Sequence, residues 1–524
     1  MQRRGERPAG RAGGWREGGI AALLGLVAAA FALGVAEFVA GFVGPDSSPV
    51  VAVGSAAINL VPGSLKDFAI KQFGSNDKLV LIITVLVVLV VLAAVAGLLA
   101  RRRLAVGVTL VVLLGVVGVV AAATGSGVVA AVPSAVAAVV GGLALWLLVT
   151  LRSRRAVATT EPAAGAPTRS RRAVLATGAG MVVVAAAGVA GGRLLLSSRF
   201  DVTASRARIR LPAPVVPAKP LPPGYQFSVP GLSPFRTSNR DFYRVDYDLT
   251  LPQVPVEQWS LNVHGSVDRP MQLTFRDLLD RKLIERDMTL CCVSNEIGGP
   301  YVSTTRWLGV SLPELLREAG VHSGADQLLS SSVDGMTIGT PTDLIMDGRE
   351  ALIVVGMNGE PLPIAHGFPA RLIVPGLYGY ASATKWVNDL NLTTFAAEKA
   401  YWVRRGYVRD GEARTASRID VPKPFAQVKP GPATVAGVAW ALHRGISTVQ
   451  FRVDNGPWQE TELTTAAGTD LWRQWRTTWQ ATPGSHQIQV RAADGAGHMQ
   501  PEHRMGVFPS GATGWHSVLV NVTS

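Results

Sequence analysis

The pattern of apolar and polar positions divides the chain near residue 200. Before that point Ala, Val, Leu and Gly dominate, and five long apolar stretches stand out, roughly 19–44, 79–100, 104–122, 127–151 and 173–192. Each is long enough to span a hydrocarbon core of about 30 Å, which takes about 20 helical residues. The apolar run from Val50 to Val61 is too short for that. With the following LKDFAIKQFG it predicts an outer loop that dips into the membrane interface. Arginines cluster beside the apolar stretches: in the first sixteen residues, at Arg101 to Arg103, at Arg152 to Arg155 and at Arg169 to Arg172. Lys and Arg mark cytoplasmic loops. Placing every cluster inside predicts an inner N-terminus, five crossings and an outer location for everything after residue 195. Glu37 is the one acid within a span, near the outer end, where a carboxylate can reach headgroups.

Beyond residue 200 the period of the pattern changes. The segment PAPVVPAKPLPP, residues 212–223, holds six prolines and predicts an extended polyproline stalk of roughly 35–40 Å. Residues 225–400 mix short apolar strands (WSLNVHG, ALIVVGM, ARLIVPG) with amphipathic helices (TFRDLLDRK, SLPELLREAG) in an α+β pattern. Residues from about 425 onward alternate as strands (TVAGVAWA, STVQFRVD, HQIQVRAAD, HSVLVNV) between turns such as DNGP and TPGSH. That spacing predicts an immunoglobulin-like β-sandwich. The expected organisation is multi-domain. A five-helix α membrane unit covers 1–200, a Pro-rich linker 201–224, an α+β domain 225–400 and the sandwich 401–524.

Charge and rare residues narrow the function. The net charge of +13 sits largely beside apolar spans, whereas a nucleic-acid surface places it on a polar domain with aromatics between the charges; no nucleic-acid partner is expected. The two cysteines, Cys291 and Cys292, are adjacent, and vicinal residues rarely satisfy disulfide geometry. The first histidine is His264. Axial haem ligands are usually His and no C-x-x-C-H string occurs, so no haem is expected and the electron carrier should be a separate molecule. The last span opens with Ser170-Arg171-Arg172, similar to a twin-arginine export signal. Gly178, Gly180, Gly188, Gly191 and Gly192 keep the following stretch only moderately apolar. Paired arginines equally serve the charge rule. The twin-arginine route carries folded proteins, which suits a domain completed before export.

Four segments carry the chemistry: TSNRDFYRVD (237–246), TLCCVSNE (289–296), STTRWLGVSLPELL (303–316) and MNGEPLPIAHGFPARLIVPGLYGYASATKWV (357–387). In this order and spacing they resemble the molybdopterin-binding domain of the sulfite-oxidase family. The ligand motif L-x-C-x-G/S-N falls on Leu290, Cys292, Ser294 and Asn295. The string N-G-x-P-L-P…H-G-x-P-x-R-x-x-V-P-G…K-W runs nearly unbroken from Asn358 to Trp386. The last hundred or so residues resemble the family's dimerisation domain through GVAWALHRGISTVQFRVDNGPW and GATGWHSVLVNV, so a homodimer is expected. The resemblance implies a molybdenum–molybdopterin cofactor with Cys292 as metal ligand, a soft thiolate on a sulfur-rich centre. Adjacent side chains on an extended segment face opposite ways, so only one cysteine can reach the metal. The cofactor's anionic phosphate needs cationic and amide partners. The family pattern assigns these to Asn239, Tyr243, Arg244, Ser332, His366, Arg371, Ser382 and Lys385, with Ser382 and Thr384 both open as the contact in the 382–385 turn. Trp307 and Leu308 are expected in the core, with Arg306 facing the pocket in a catalytic role.

The chain departs from the sulfite-oxidising pattern at two places. Phe242-Tyr243-Arg244-Val245-Asp246 stands where F-F/Y-V-R-N is usual, and Asn295-Glu296-Ile297 where N-R-R is usual. An acid in place of an arginine disfavours a small dianion. The resemblance thus implies an extracytoplasmic, multi-pass membrane oxidoreductase that moves an oxygen atom between water and a sulfur or nitrogen oxo compound. Its electrons would pass to a carrier such as a cytochrome c. Alternatives are a sulfoxide or other S-/N-oxide reductase on the same cofactor, and a non-catalytic membrane-anchored binding protein whose molybdenum domain has degenerated.

Overall fold

The computed structural model describes residues 11–61, 77–157, 169–246 and 248–523. The chain forms two compact units, Met1–Asp201 with Asp248–Leu251, and Val202–Tyr247 with Pro252–Ser524.

The first unit is helical: α1 (Arg11–Val43), α2 (Pro49–Leu60), α3 (Asp77–Arg102), α4 (Leu104–Ser126), α5 (Val132–Val157) and α6 (Arg169–Phe200). Among the described residues, five helices are long and apolar enough to cross a membrane. Large apolar side chains such as Leu113, Val117 and Val120 remain exposed, while alanines fill the interior, the inverse of a water-soluble bundle. α1 packs on α3, α5 and α6 through small residues. A Cβ on Gly25 would lie 2.1 Å from the Ala93 carbonyl, one on Gly34 2.4 Å from Ala185 Cα, and one on Gly188 2.3 Å from the Gly34 carbonyl. Close backbone approach of this kind replaces the hydrophobic effect between helices in lipid. Residues 49–60 are helical where a loop was expected: Pro49 opens α2 at its first position, where its fixed φ suits a helix start, and the helix continues through Gly54 and Ser55; twelve residues are still too few to span. Glu37 accepts a hydrogen bond from Ser48 Oγ at 2.5 Å. The LKDFAIKQFG segment lies outside the described residues, as do the side chains of Ser170 and Arg171.

The second unit opens with a short helix, α7 (Thr203–Arg208). The Pro-rich segment then runs along the sheet instead of standing clear as a stalk. Val215 N–H donates to the Leu283 carbonyl at 2.9 Å and Glu285 N–H to the Val216 carbonyl at 2.9 Å. Prolines suit this edge position because only one face of the segment needs to donate.

Residues 260–393 supply ten strands: β1 (Ser260–Gly265), β2 (Met271–Thr274), β3 (Leu283–Cys291), β4 (Val302–Ser311), β5 (Gln327–Ser332), β6 (Thr337–Pro341), β7 (Leu352–Met357), β8 (Glu360–Pro361), β9 (Arg371–Ile373) and β10 (Val387–Thr393). They form two sheets, ordered β2-β1-β10-β5-β6 and β3-β4-β7-β8, with β9 on β7. Two helices sit where their sequences call for them. Thr274 and Asp277 form a capping box on α8 (Phe275–Leu279). Ser311 caps α9 (Leu312–Ala319), which ends at left-handed Gly320, a position that favours glycine.

Residues 416–522 form two further sheets. One contains β11 (Ala416–Val421), β13 (Gly431–Trp440), β16 (Glu462–Leu463) and β17 (Arg473–Ala481). The other contains β12 (Gln427–Val428), β14 (Ile446–Val453), β15 (Gln459–Glu460), β18 (Gly484–Asp494) and β19 (His516–Val522). Ile419, Val435 and Trp475 of the first share a core with Phe451, Ile488, Val490 and Val520 of the second. A separate core joins both halves of the unit, burying Cys291, Val293 and Tyr378 with Val438, Trp440 and Trp472.

Candidate active site

β3 runs along β4 from Leu283↔Val310 to Cys291↔Val302, and Cys292 is the first residue beyond its end. Cys292 N–H donates to the Tyr301 carbonyl at 2.9 Å, and Asn295 Oδ1 accepts from Tyr301 N–H at 2.7 Å. These bonds close the 292–301 loop. The two cysteines separate here. Cys291 is 2% exposed in the core, whereas Cys292 lines a cavity of about 150 Å³.

The cavity wall is assembled from distant segments. Tyr243, Val245 and Asp246 come from the stretch before β1, Ser332 from the end of β5, Arg371 from β9, and Thr384, Lys385 and Trp386 from the turn into β10. That turn folds back on β9, with Leu372 N–H on the Thr384 carbonyl at 2.9 Å and Val374 N–H on the Ser382 carbonyl at 3.0 Å. Arg371 is buried and rests over the Trp307 ring at 5.3 Å. Its Nη1 donates to the His366 carbonyl at 3.2 Å, while its Nε and the Ser332 Oγ are buried without a hydrogen-bond partner. Lys385 is ion-paired to Asp246.

Burial dominates the electrostatics. It pulls Arg371 down to about 10 and Lys385 down to about 8, with Asp246 opposing both shifts. It pushes the Cys292 thiol up, opposed by hydrogen bonds from Ser294 and by the Lys385 charge. The Cys291 thiol is pushed further up by burial and the neighbouring Cys292. Tyr243 is raised by burial and by the cysteines.

Five of the residues selected from sequence therefore meet at one cavity: Cys292, Tyr243, Ser332, Arg371 and Lys385. The others lie elsewhere. Arg306 does not face the cavity; on β4 it pairs with Asp287, Nη2 to Oδ2 at 2.8 Å, and with Glu285 at 3.4 Å. The β3–β4 register sets Asp287 directly opposite it. Ser382 is fully buried and donates to the Tyr378 carbonyl at 3.0 Å; of the two hydroxyl residues in that turn only Thr384 lies on the cavity wall, its Oγ1 hydrogen-bonded to Ser330 Oγ at 2.6 Å. Asn239 accepts from Asn358 Nδ2 at 2.9 Å. Its own carbonyl receives the His366 Nε2 hydrogen at 2.9 Å, so both sit behind the wall. Arg244 is half exposed and paired to Asp246. Sequence reasoning did not select Met336, Ile338, Tyr380, Trp402 and Tyr407, which complete the wall with apolar and aromatic surface. The aromatic-rich strings LYGYA and AYWVRRGY were the available signal.

A larger cleft of about 1270 Å³ runs between residues 321–415 and 444–513. It contains neither cysteine, and Arg409, Arg414 and Arg444 on its wall all have internal partners, so the chemistry belongs to the smaller cavity.

Residues 248–402 match the oxidoreductase molybdopterin binding domain. The chain is 28% identical over 344 residues to the mitochondrial sulfite oxidase of Mus musculus, covering 55% of this chain and 61% of that protein. It is 30% identical over 178 residues to the NADH nitrate reductase of Petunia hybrida, covering 29% of this chain and 20% of that one. It is 32% identical over 155 residues to the uncharacterized oxidoreductase YuiH of Bacillus subtilis, covering 30% of this chain and 75% of that protein. Because three quarters of the Bacillus protein is matched, and Cys292, Arg371 and Lys385 all fall inside the molybdopterin-binding segment, the chain belongs to the sulfite-oxidase family of molybdopterin-dependent oxidoreductases.

Proposed function

We propose that the chain is a membrane-anchored enzyme of two-electron oxo transfer, with molybdenum–molybdopterin held in the Cys292 cavity on the extracytoplasmic side. The observation that carries this is the pairing, in one cavity, of a single inward thiol with two buried cations and two unpartnered polar atoms. An orphaned buried guanidinium N–H is costly in an empty protein; a phosphate oxygen satisfies it. The residues therefore fit the cofactor. Arg371, Lys385, Ser332 and Thr384 would hold its polar end, and Cys292 would bind the metal as thiolate. When bound, the cofactor supplies a metal centre that cycles between two oxidation states two electrons apart.

The protein's share of the work is orientation and ligation. The Asn295 bonds hold Cys292 at the end of β3. Lys385 lowers the cost of the Cys292 thiolate, which metal binding lowers further. We assign a sulfur or nitrogen oxo compound as substrate. The wall formed by Tyr380, Trp402 and Tyr407 favours a substrate less charged than sulfite, which supports the reductase of S- or N-oxides as a second reading; Glu296, the acid singled out in the sequence, lies with Cys291 outside this cavity. Electrons would leave to, or arrive from, a separate carrier of the cytochrome c type. Residues 401–524 would form an immunoglobulin-like dimerisation domain.

The test uses full-length protein from a host that makes the cofactor. Molybdenum and pterin are expected near one per chain, together with turnover of a sulfur or nitrogen oxo compound with dye electron partners. Purified, folded protein without molybdenum would overturn the proposal.

A further inference from the structure

Asp246 is placed unusually for a cavity that is to receive an anion. Its carboxylate is 6% exposed and ion-paired to Lys385, itself 16% exposed. The same carboxylate pairs with Arg244. Lys385 Nζ also donates to the Val245 carbonyl at 3.0 Å, so the Val245–Asp246 stretch occupies two of its three hydrogens. Arg371 makes no ion pair among the described residues, and its Nε is unpartnered. Asp334, the other acid on the wall, is turned to the Met336 N–H at 3.1 Å.

We propose that Asp246 is a built-in counter-anion of the phosphate subsite, holding Lys385 in the cofactor-free protein and competing with the incoming anion for that cation. This rests on the reading that the cationic end of the cavity takes the cofactor's phosphate. Both cations line the same cavity, and Arg371 lies near enough to disfavour the charge on Lys385. A protein that folds before it is loaded must offset part of this charge, since unpaired buried cations are strongly destabilising. Asp246 offsets the Lys385 charge from within the chain while Arg371 keeps no ion pair among the described residues, and the loaded protein gives up part of its anion affinity in return. Asp246 would thus set how tightly the site holds its anion without itself contacting the reacting centre.

The probe is inorganic phosphate, added to full-length protein produced without the cofactor, with hydrogen exchange of residues 379–387 as the local readout. Phosphate is expected to slow exchange in the unaltered chain. In Asp246→Asn, which keeps the shape of the side chain, basal exchange should be faster, and protection should appear at roughly a tenth of the phosphate concentration, about 1.4 kcal/mol. Weaker or unchanged phosphate affinity in Asp246→Asn overturns the counter-anion role. No response to phosphate in either protein overturns the phosphate reading of the cavity itself. Should Asp246→Asn not fold, Asp246→Asn/Lys385→Gln distinguishes the cases. The double variant is expected to fold, because the charge needing compensation is gone; its failure contradicts the inference.

Discussion

His366 and His516 are both buried, and burial lowers each to about 4. Nearby cations add to the effect, Arg371 and Lys385 at His366, Arg418 and Arg504 at His516. His516 accepts the Ile419 N–H on Nδ1 at 3.0 Å, a bond available only to the neutral ring. In the unfolded chain both titrate near 6.5. Stability from these groups is therefore full above about pH 6.5 and is lost as the pH falls toward 4, by roughly 2–3 kcal/mol per histidine. Urea unfolding followed by tryptophan fluorescence should show this loss, and His366→Gln with His516→Gln should flatten the profile between those pH values. An unchanged acid slope would contradict it. Single residues were legible in the sequence where a motif fixed them, as for Cys292, Arg371 and Lys385. Arg306 was not, because its partner Asp287 lies nineteen positions away across a strand ladder, and only the register reveals that two carboxylates already hold it. The 382–385 turn shows the same limit: which of Ser382 and Thr384 lies on the cavity wall depends on how the turn pairs with β9.

Helices and strands with strong local signals stood where the sequence placed them. The capped helices at Thr274 and Ser311 and the strand ending in HSVLVNV are examples. β3, β4 and β17 were not read as strands, because their polar residues, such as Ser303, Thr304 and Thr305 of β4, are buried by tertiary context. The Pro-rich segment was legible as extended but not as bound, since an open β3 edge cannot be seen from its own residues. The glycines of α6 divide into two groups. Gly188 meets the Gly34 carbonyl, whereas Gly178 and Gly180 have nothing within 4 Å. A Gly188→Leu substitution should therefore separate α1 from α6 and lower the melting temperature in detergent. Gly178→Ala should be neutral or raise stability by up to about 1 kcal/mol, the difference in helix propensity. Equal effects at both positions would contradict the packing described.

The whole molecule joins a unit with five apolar helices to a unit built from four sheets. Composition and charge clusters made that division plain at residue 200, while the merged core around Cys291 and Trp440 could not be foreseen from segments read one by one. If the arginine pair before the last span directs export, Arg171→Lys with Arg172→Lys keeps the charge but should leave residues after 195 inside, protected from protease in spheroplasts. Normal cleavage of the outer unit would refute that route. The central claim is that Cys292, and not its neighbour, ligates molybdenum. Cys292 lines the cavity while Cys291 is packed away from it, so the two make opposite predictions. X-ray absorption at the molybdenum edge, on the unaltered protein and on Cys291→Ser and Cys292→Ser side by side, reads the sulfur coordination directly. The account predicts one sulfur ligand fewer in Cys292→Ser alone, with turnover abolished and pterin retained, and unchanged coordination with most activity in Cys291→Ser. Loss of the sulfur in Cys291→Ser, or full coordination in Cys292→Ser, would contradict it.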